Sequence, residues 1–219
     1  MRPQRDSAMS HDENLIDNRR PIAARSSAWA QRTAAWLARS RVTPNQISVL
    51  SVAFAAAGAA LLARNPGAWA LVGCALAIQA RLICNLLDGM VAVEGGRKSA
   101  LGQIYNEFPD RIADSLLIVA LGYGIGLPWL GWFGALAAAL TAYVRVFGGS
   151  LGFAQDFRGP MAKQHRMAVL TVACILGAIE LPWLGSRHTL TAAAIAIAVG
   201  AVLTCVTRTL AIARQLGHA

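Results

Sequence analysis

Six long apolar runs constrain this chain more than any other feature. They cover residues 47–63, 69–93, 109–126, 128–147, 167–183 and 190–212. Each is close to the ~20 residues that a helix needs to cross a bilayer. Inside a bilayer a segment must satisfy its own backbone hydrogen bonds, which leaves the helix as the structure for such runs. The composition agrees: 56% of residues are hydrophobic and 14% are charged, with a mean hydropathy of +0.47. A soluble domain carries about 25% charged residues. This chain lacks the charge to coat a water-facing surface.

The charges that remain set an orientation. Eight arginines precede residue 42, Arg97 and Lys98 lie between the second and third runs, Arg158, Lys163 and Arg166 lie between the fourth and fifth, and Arg214 follows the sixth. The opposite side carries only Arg64 and Arg187. The positive-inside rule then puts both termini in the cytoplasm of an inner-membrane protein. The net charge of +9 is spread between apolar runs and forms no stripe, so a nucleic-acid partner is not expected.

Three segments follow. Residues 1–20 have mixed charge and few large apolar residues, and are expected to be a disordered tail. Residues 21–41 place Trp29, Thr33, Trp36 and Leu37 near one helical face and Arg25, Arg32 and Arg39 on another. That pattern predicts an amphipathic interfacial helix among membrane lipids. Residues 42–214 form the six-helix membrane domain. No apolar stretch opens the N-terminus, so no cleavable signal peptide is expected. Cys74, Cys84, Cys174 and Cys205 lie in apolar runs without metal-site spacing and are expected to pack as small core residues.

The acidic residues are not dispersed. Asp88, Glu94, Glu107, Asp110 and Asp114 crowd into 27 positions, among only eleven acids in the whole chain. Charges in membrane helices are costly and mark functional sites by default. At about 100° per residue, Arg81, Asn85, Asp88 and Ala92 share one stripe of the second run. Asn106, Asp110 and Asp114 share an arc of the third, with Glu107 at its edge. Two such stripes facing each other make an oxygen-rich site suited to a hard cation such as Mg²⁺ or Mn²⁺.

The string Asn85-Leu-Leu-Asp88-Gly89-Met-Val-Ala92-Val93, then the eight residues from Glu94 to Leu101, then Gly102-Gln-Ile-Tyr-Asn106-Glu-Phe-Pro-Asp110 resembles the signature DxxDGxxARx(8)GxxxDxxxD of the CDP-alcohol phosphotransferase family. Val42-Thr-Pro44-Asn45-Gln-Ile47-Ser is similar to the family's lead into its first span. The resemblance implies an all-α membrane protein of six transmembrane helices around a cytoplasm-facing polar cavity, usually a homodimer. It implies transfer of a substituted phosphate from a CDP-linked lipid or alcohol to a hydroxyl acceptor, with release of CMP. It assigns metal binding to Asn85, Asp88, Asn106 and Asp110, and the general base to Asp110. Asn85, Gly89, Ala92 and Gly102 would meet the CDP. Arg145, Arg158, Lys163 and Arg166 would clamp an acceptor phosphate.

Three signature positions depart: Asn85 and Asn106 stand where the pattern has Asp, and Val93 where it has Arg. An amide oxygen still ligates a hard cation, but two charges are lost, so weaker or single-metal binding is expected. Arg81, Glu94, Glu107 and Asp114 flank the motif and could compensate. Two other readings stay open: a homologue that binds CDP-lipid as a partner or regulator without turnover, and a small transporter with a polar pathway.

Overall fold

The computed structural model describes residues 27–64, 66–94, 96 and 102–217, without the side chains of Gln103 and Asn106. The expected tail at 1–20 and the basic pair Arg97 and Lys98 lie outside the described residues. Among the described residues there are seven helices and no strand. They are α1 (Ala28–Arg39), α2 (Pro44–Ala63), α3 (Ala68–Glu94), α4 (Gly102–Gly124), α5 (Pro128–Ser150), α6 (Lys163–Leu184) and α7 (His188–Gly217).

Local sequence explains where they begin. The Thr43 hydroxyl accepts from the Gln46 amide at 3.3 Å, and the Gln46 side chain accepts from the Thr43 amide at 2.9 Å. This reciprocal cap, with Pro44 at the first helical position, satisfies two donors that an open helix start would leave bare. At the far end the Glu180 carboxylate accepts from the His188 amide at 2.7 Å and the Thr189 amide at 2.9 Å, capping α7.

Five helices, α2, α3, α5, α6 and α7, are long and apolar enough to cross a membrane. The fourth helix is 23 residues long but carries Glu107, Asp110, Arg111 and Asp114 between its first turns and its middle. Its start corrects the expected third run. The helix begins at Gly102 and passes through Pro109. One proline removes a single amide donor, and the turns on either side hold the helix together.

The connections alternate in length. The connections between α2 and α3, α4 and α5, and α6 and α7 fall at one end, and those between α3 and α4 and between α5 and α6 fall at the other. The starts of α2, α4 and α6 and the ends of α3, α5 and α7 therefore share one end. Neighbours in space close a ring in the order α2, α3, α6, α7, α5, α4 and back to α2, and α1 lies against α3. Ala30 and Ala34 of α1 are buried beside Leu87 and Val91. At the far end α4 and α5 touch backbone to backbone: a Cβ on Gly122 would lie 2.6 Å from the Gly131 Cα. Small residues at such crossings let membrane helices pack closely.

The ring's interior is not purely apolar. Asp114 of α4 accepts from Arg81 Nη2 of α3 at 2.6 Å and from Arg166 Nη2 of α6 at 2.7 Å. Arg81 is 0% exposed, Arg166 1% and Asp114 3%. Arg166 also donates to the Met161 carbonyl at 2.8 Å. One buried carboxylate thus ties three helices.

Two predictions follow from this packing. Asp114→Ala leaves two buried guanidiniums without their counter-charge, a change that costs about 3–5 kcal/mol; thermal unfolding in detergent should show a large fall, and an unchanged melting temperature would contradict the clamp. Gly131→Val forces α4 from α5 and should lower the melting temperature while leaving the polar end intact; equal stability would show that the two backbones do not meet.

Candidate active site

Three helices contribute to the site one turn at a time. Moving toward the shared end, α3 presents Arg81, Asn85 and Asp88, α4 presents Asp114, Asp110 and Glu107, and α6 presents Arg166 and then Lys163. The i, i+3 and i, i+4 spacings stack these residues on one face of each helix.

The Arg81–Asp114–Arg166 clamp is the deepest layer. Above it, the Asn85 amide donates to Asp110 Oδ1 at 2.8 Å, and the Lys163 ammonium pairs with Asp110 Oδ2. Arg81 Nη2 also stands 3.6 Å from Asp110 Oδ1. Asp110 is 14% exposed and Lys163 18%, so this layer is reachable where the clamp below is sealed. Asp88 lies toward α2. Its Oδ2 accepts from the Ser48 hydroxyl at 2.6 Å. Its Oδ1 is buried and has no hydrogen-bond partner among the described residues.

That bare oxygen is the observation that speaks to a metal. A carboxylate oxygen out of water without a donor is costly, and a cation relieves the cost. The Asn85 amide nitrogen is turned to Asp110, and the amide also carries a carbonyl oxygen. Asp88, Asn85 and Asp110 therefore offer oxygen donors of the type that hard cations take. Among the described residues, no group of three or more His, Cys, Asp or Glu side chains is placed to hold a metal ion.

A second polar cluster adjoins the first. Arg145 of α5 donates to Glu107 at 2.7 Å and to Gln155 at 2.5 Å, and its guanidinium lies 5.1 Å from the centre of the Phe157 ring. Arg111 stands 3.8 Å from Glu107. The exposed Arg158 pairs with Asp156 at 3.0 Å. Partial burial pushes the Asp156 carboxyl up, but hydrogen bonds from the Arg158 side chain and backbone outweigh it and hold the group below its ordinary value. Arg208 of α7 fixes the segment between α5 and α6 by donating to the Arg158 carbonyl at 2.8 Å and to the Thr141 carbonyl at 2.6 Å.

The four basic residues expected at an acceptor phosphate are therefore not gathered into one clamp. Arg166 is sealed onto Asp114, Lys163 sits on Asp110, and Arg145 and Arg158 border the adjoining cluster. Of the flanking residues, Arg81 and Asp114 form the clamp, Glu107 holds Arg145, and Glu94 is exposed at the end of α3. Gly89, Ala92 and Gly102 are half-buried at the same end, and the Asn106 side chain lies outside the described residues. Sequence reasoning missed Ser48, Arg111 and Arg208. The signal for Arg208 was present, as an arginine inside the last apolar run. A serine such as Ser48 is too common in membrane helices to stand out.

The chain matches the CDP-alcohol phosphatidyltransferase family over residues 41–211. It is 37% identical over 143 residues to the bifunctional IPC transferase and DIPP synthase of Rubrobacter xylanophilus, covering 63% of this chain and 32% of that one. It thus spans about a third of that relative's length. It is 36% identical over 149 residues to the archaetidylinositol phosphate synthase of Aeropyrum pernix, covering 67% of this chain and 74% of the other. The fold is similar to that of the Mycobacterium tuberculosis phosphatidylinositol phosphate synthase solved with CDP-DAG bound, at TM-score 0.73 and 21% identity, over 85% of this chain and 94% of that one. The same synthase solved with manganese and citrate gives TM-score 0.72 at 20% identity, over 84% and 88% of the two chains. With its motif at the polar end of an all-helical, membrane-spanning ring, the chain belongs to the CDP-alcohol phosphatidyltransferase family, the transferases of phospholipid synthesis.

Proposed function

We propose that this protein moves a phosphatidyl-type group from a CDP-linked lipid, such as CDP-diacylglycerol, to the hydroxyl of an anionic acceptor. The observation that carries the reading is the pairing of a reachable carboxylate, Asp110, with a buried and unpartnered carboxylate oxygen on Asp88 at the same end of the ring.

The residues divide the work. Asp88, Asn85 and Asp110, with Asn106, would hold a divalent cation, Mg²⁺ or Mn²⁺, which neutralises the diphosphate and the departing CMP. Gly89, Ala92 and Gly102 present little side chain, so the nucleotide approaches the backbone there, next to Asn85. Asp110 takes the proton of the acceptor hydroxyl. The hydroxyl oxygen forms the new bond to the lipid-bearing phosphorus, and the bond from that phosphorus to the bridging oxygen breaks, so CMP leaves with that oxygen. Asn85 and Lys163 hold the two oxygens of Asp110 in place, and Asp114 positions Arg81 beneath them. Arg145 and Arg158 meet the acceptor's negative charge, while Glu94 and Glu107 tune the rim. Relatives named for inositol phosphate lipids make an inositol phosphate the first acceptor to try.

The membrane placement belongs to the same reading. At 1.5 Å per residue, α4 is about 34 Å long, enough to cross a bilayer core. With its charges turned into the ring it is the sixth span, and the polar centre is a cavity open to the cytoplasm. The basic loops at that end put both termini in the cytoplasm of the inner membrane. Residues 42–214 form the catalytic domain, and α1 lies in the interface with Trp29 and Trp36 outward. A homodimer, implied by the family resemblance, completes the proposal.

The test is CMP release by the purified chain given CDP-diacylglycerol, Mg²⁺ or Mn²⁺ and pooled acceptors. Turnover should appear with phosphorylated alcohols first. Asp110→Asn should lower kcat by about 10²–10⁴-fold; unchanged turnover would remove it as the base. No CMP with any acceptor, together with recovery in Asn85→Asp/Asn106→Asp, would instead make this a CDP-lipid-binding homologue.

A further inference from the structure

The start of α6 is a place where local sequence works against the structure. Its first turn carries Lys163 and Arg166 and no acid, and its N-cap, Ala162, makes no side-chain hydrogen bond. Cations at a helix N-terminus oppose the macrodipole, and an uncapped start leaves amide donors bare. Yet this turn delivers Lys163 to Asp110 and Arg166 to Asp114. A turn so disfavoured by its own residues has to be held from outside the helix.

The support comes from α7. Gly200, Thr204 and Arg208 stand four residues apart and share one face of that helix. Residues 158–161 run along this face as a strap. Arg208 Nε donates to the Arg158 carbonyl at 2.8 Å. The Thr204 hydroxyl, 0% exposed, accepts from the Met161 amide at 3.0 Å and donates to the Gly200 carbonyl at 2.7 Å. Gly159, at φ +132°, passes so close that a Cβ there would lie 2.4 Å from Thr204 Cγ2. A Cβ on Gly200 would lie 2.8 Å from the Met161 Cβ. The Met161 carbonyl in turn accepts from Arg166 Nη1 at 2.8 Å. Met161 thus joins α7 to the first turn of α6 through its amide, its carbonyl and its side chain.

We infer that Thr204 is a positioning residue for the transfer: by holding the strap at Met161 it sets Lys163 against Asp110. The inference rests on the transferase reading for what Asp110 does, and extends it to a face of α7 that the reading leaves without a role. Lys163 follows Met161 by two residues, so a displaced strap carries the ammonium with it. A displacement of about 1 Å is enough to cost a reacting group its alignment. The conflict at the start of α6 is then explained. The cations stand at the wrong end of their helix because the site needs them there, and the fold supplies the missing support from α7.

The chain has two lysines, Lys98 and Lys163. Acetylation of Lys163 by an N-hydroxysuccinimide ester is therefore read directly by peptide mass spectrometry of the detergent-solubilised full chain, with Lys98 as the reference for the reagent. Thr204→Val keeps the volume and removes the acceptor, and Gly200→Ala pushes the strap from α7. Each should speed Lys163 acetylation about tenfold, the scale of one lost buried hydrogen bond, and Thr204→Ser should keep the wild-type rate. Leu190→Ala opens a cavity at the far end of the same helix, lowers stability without touching the strap, and should leave the rate unchanged. CMP release is followed in the same preparations. Thr204→Val should lower kcat about tenfold with KM for CDP-diacylglycerol near wild type, and should add nothing in a Lys163→Gln background. Unchanged acetylation in either Thr204→Val or Gly200→Ala, the same acceleration in Leu190→Ala, failure of Thr204→Ser to keep the wild-type rate, or an undiminished effect of Thr204→Val on kcat in Lys163→Gln would each overturn the inference. The expected acetylation pattern in a chain that releases no CMP with any acceptor would leave the strap's hold on Lys163 standing and sink the transferase reading.

Discussion

A carboxylate held between two buried guanidiniums is the interaction on which this structure depends. Asp114 joins Arg81 and Arg166, and with them α3, α4 and α6. α2 packs closely on both α3 and α4, whereas polar side chains bridge the space between α3 and α4 themselves. Lipid tails are as apolar as the helices, so greasy surfaces alone do not choose which helix faces the ring's centre. A charge that must find its partner does choose. The clamp fixes the rotation of three helices at once.

The site follows from that rotation. One turn from the clamp, the same three faces deliver Asn85, Asp110 and Lys163, and a further turn brings Asp88. A deep layer tied by ion pairs supports a shallower layer that stays reachable. Reactive groups need such backing, since a loosely held carboxylate loses the alignment on which proton transfer depends. The far end serves a different purpose. Its short turns, its glycine contact between α4 and α5, and the Glu180 cap on α7 close the ring away from the chemistry.

Much of this was legible in the residues, for identifiable reasons. Hydropathy marks a run such as 190–212 because lipid-facing and core-facing positions are both apolar. Helical spacing put Arg81, Asn85 and Asp88 on one stripe, and Asp110 with Asp114 on another. In the structure Arg81 and Asn85 meet Asp114 and Asp110, while Asp88 turns to Ser48 of α2. The ring order was not legible. Pairing α3 with α6 brings Gln79 to Thr171 across 92 positions, and no local pattern encodes that. α4 was harder still. Its inward charges lower its hydropathy, and Pro109 looks like a start although the helix begins at Gly102. Lys163 was expected beside Arg158 at an acceptor phosphate, and only its contact with Asp110 separates the two. Ser48 was hidden because a hydroxyl in a membrane helix commonly bonds its own backbone, as Ser48 also does to Pro44.

The central claim is that the buried clamp exists to position Asp110, beyond holding the ring together. Replacing all three members with apolar residues, as Asp114→Leu/Arg81→Met/Arg166→Met, separates the two roles, because buried ion networks exchange for apolar packing with little loss of stability. Steady-state CMP release by this folded triple variant is the direct measurement. The account predicts that the triple variant still folds, shown by a cooperative melting transition, with kcat reduced at least about a hundredfold, the scale that misplacing a reacting group produces. Wild-type turnover in the folded variant would contradict it.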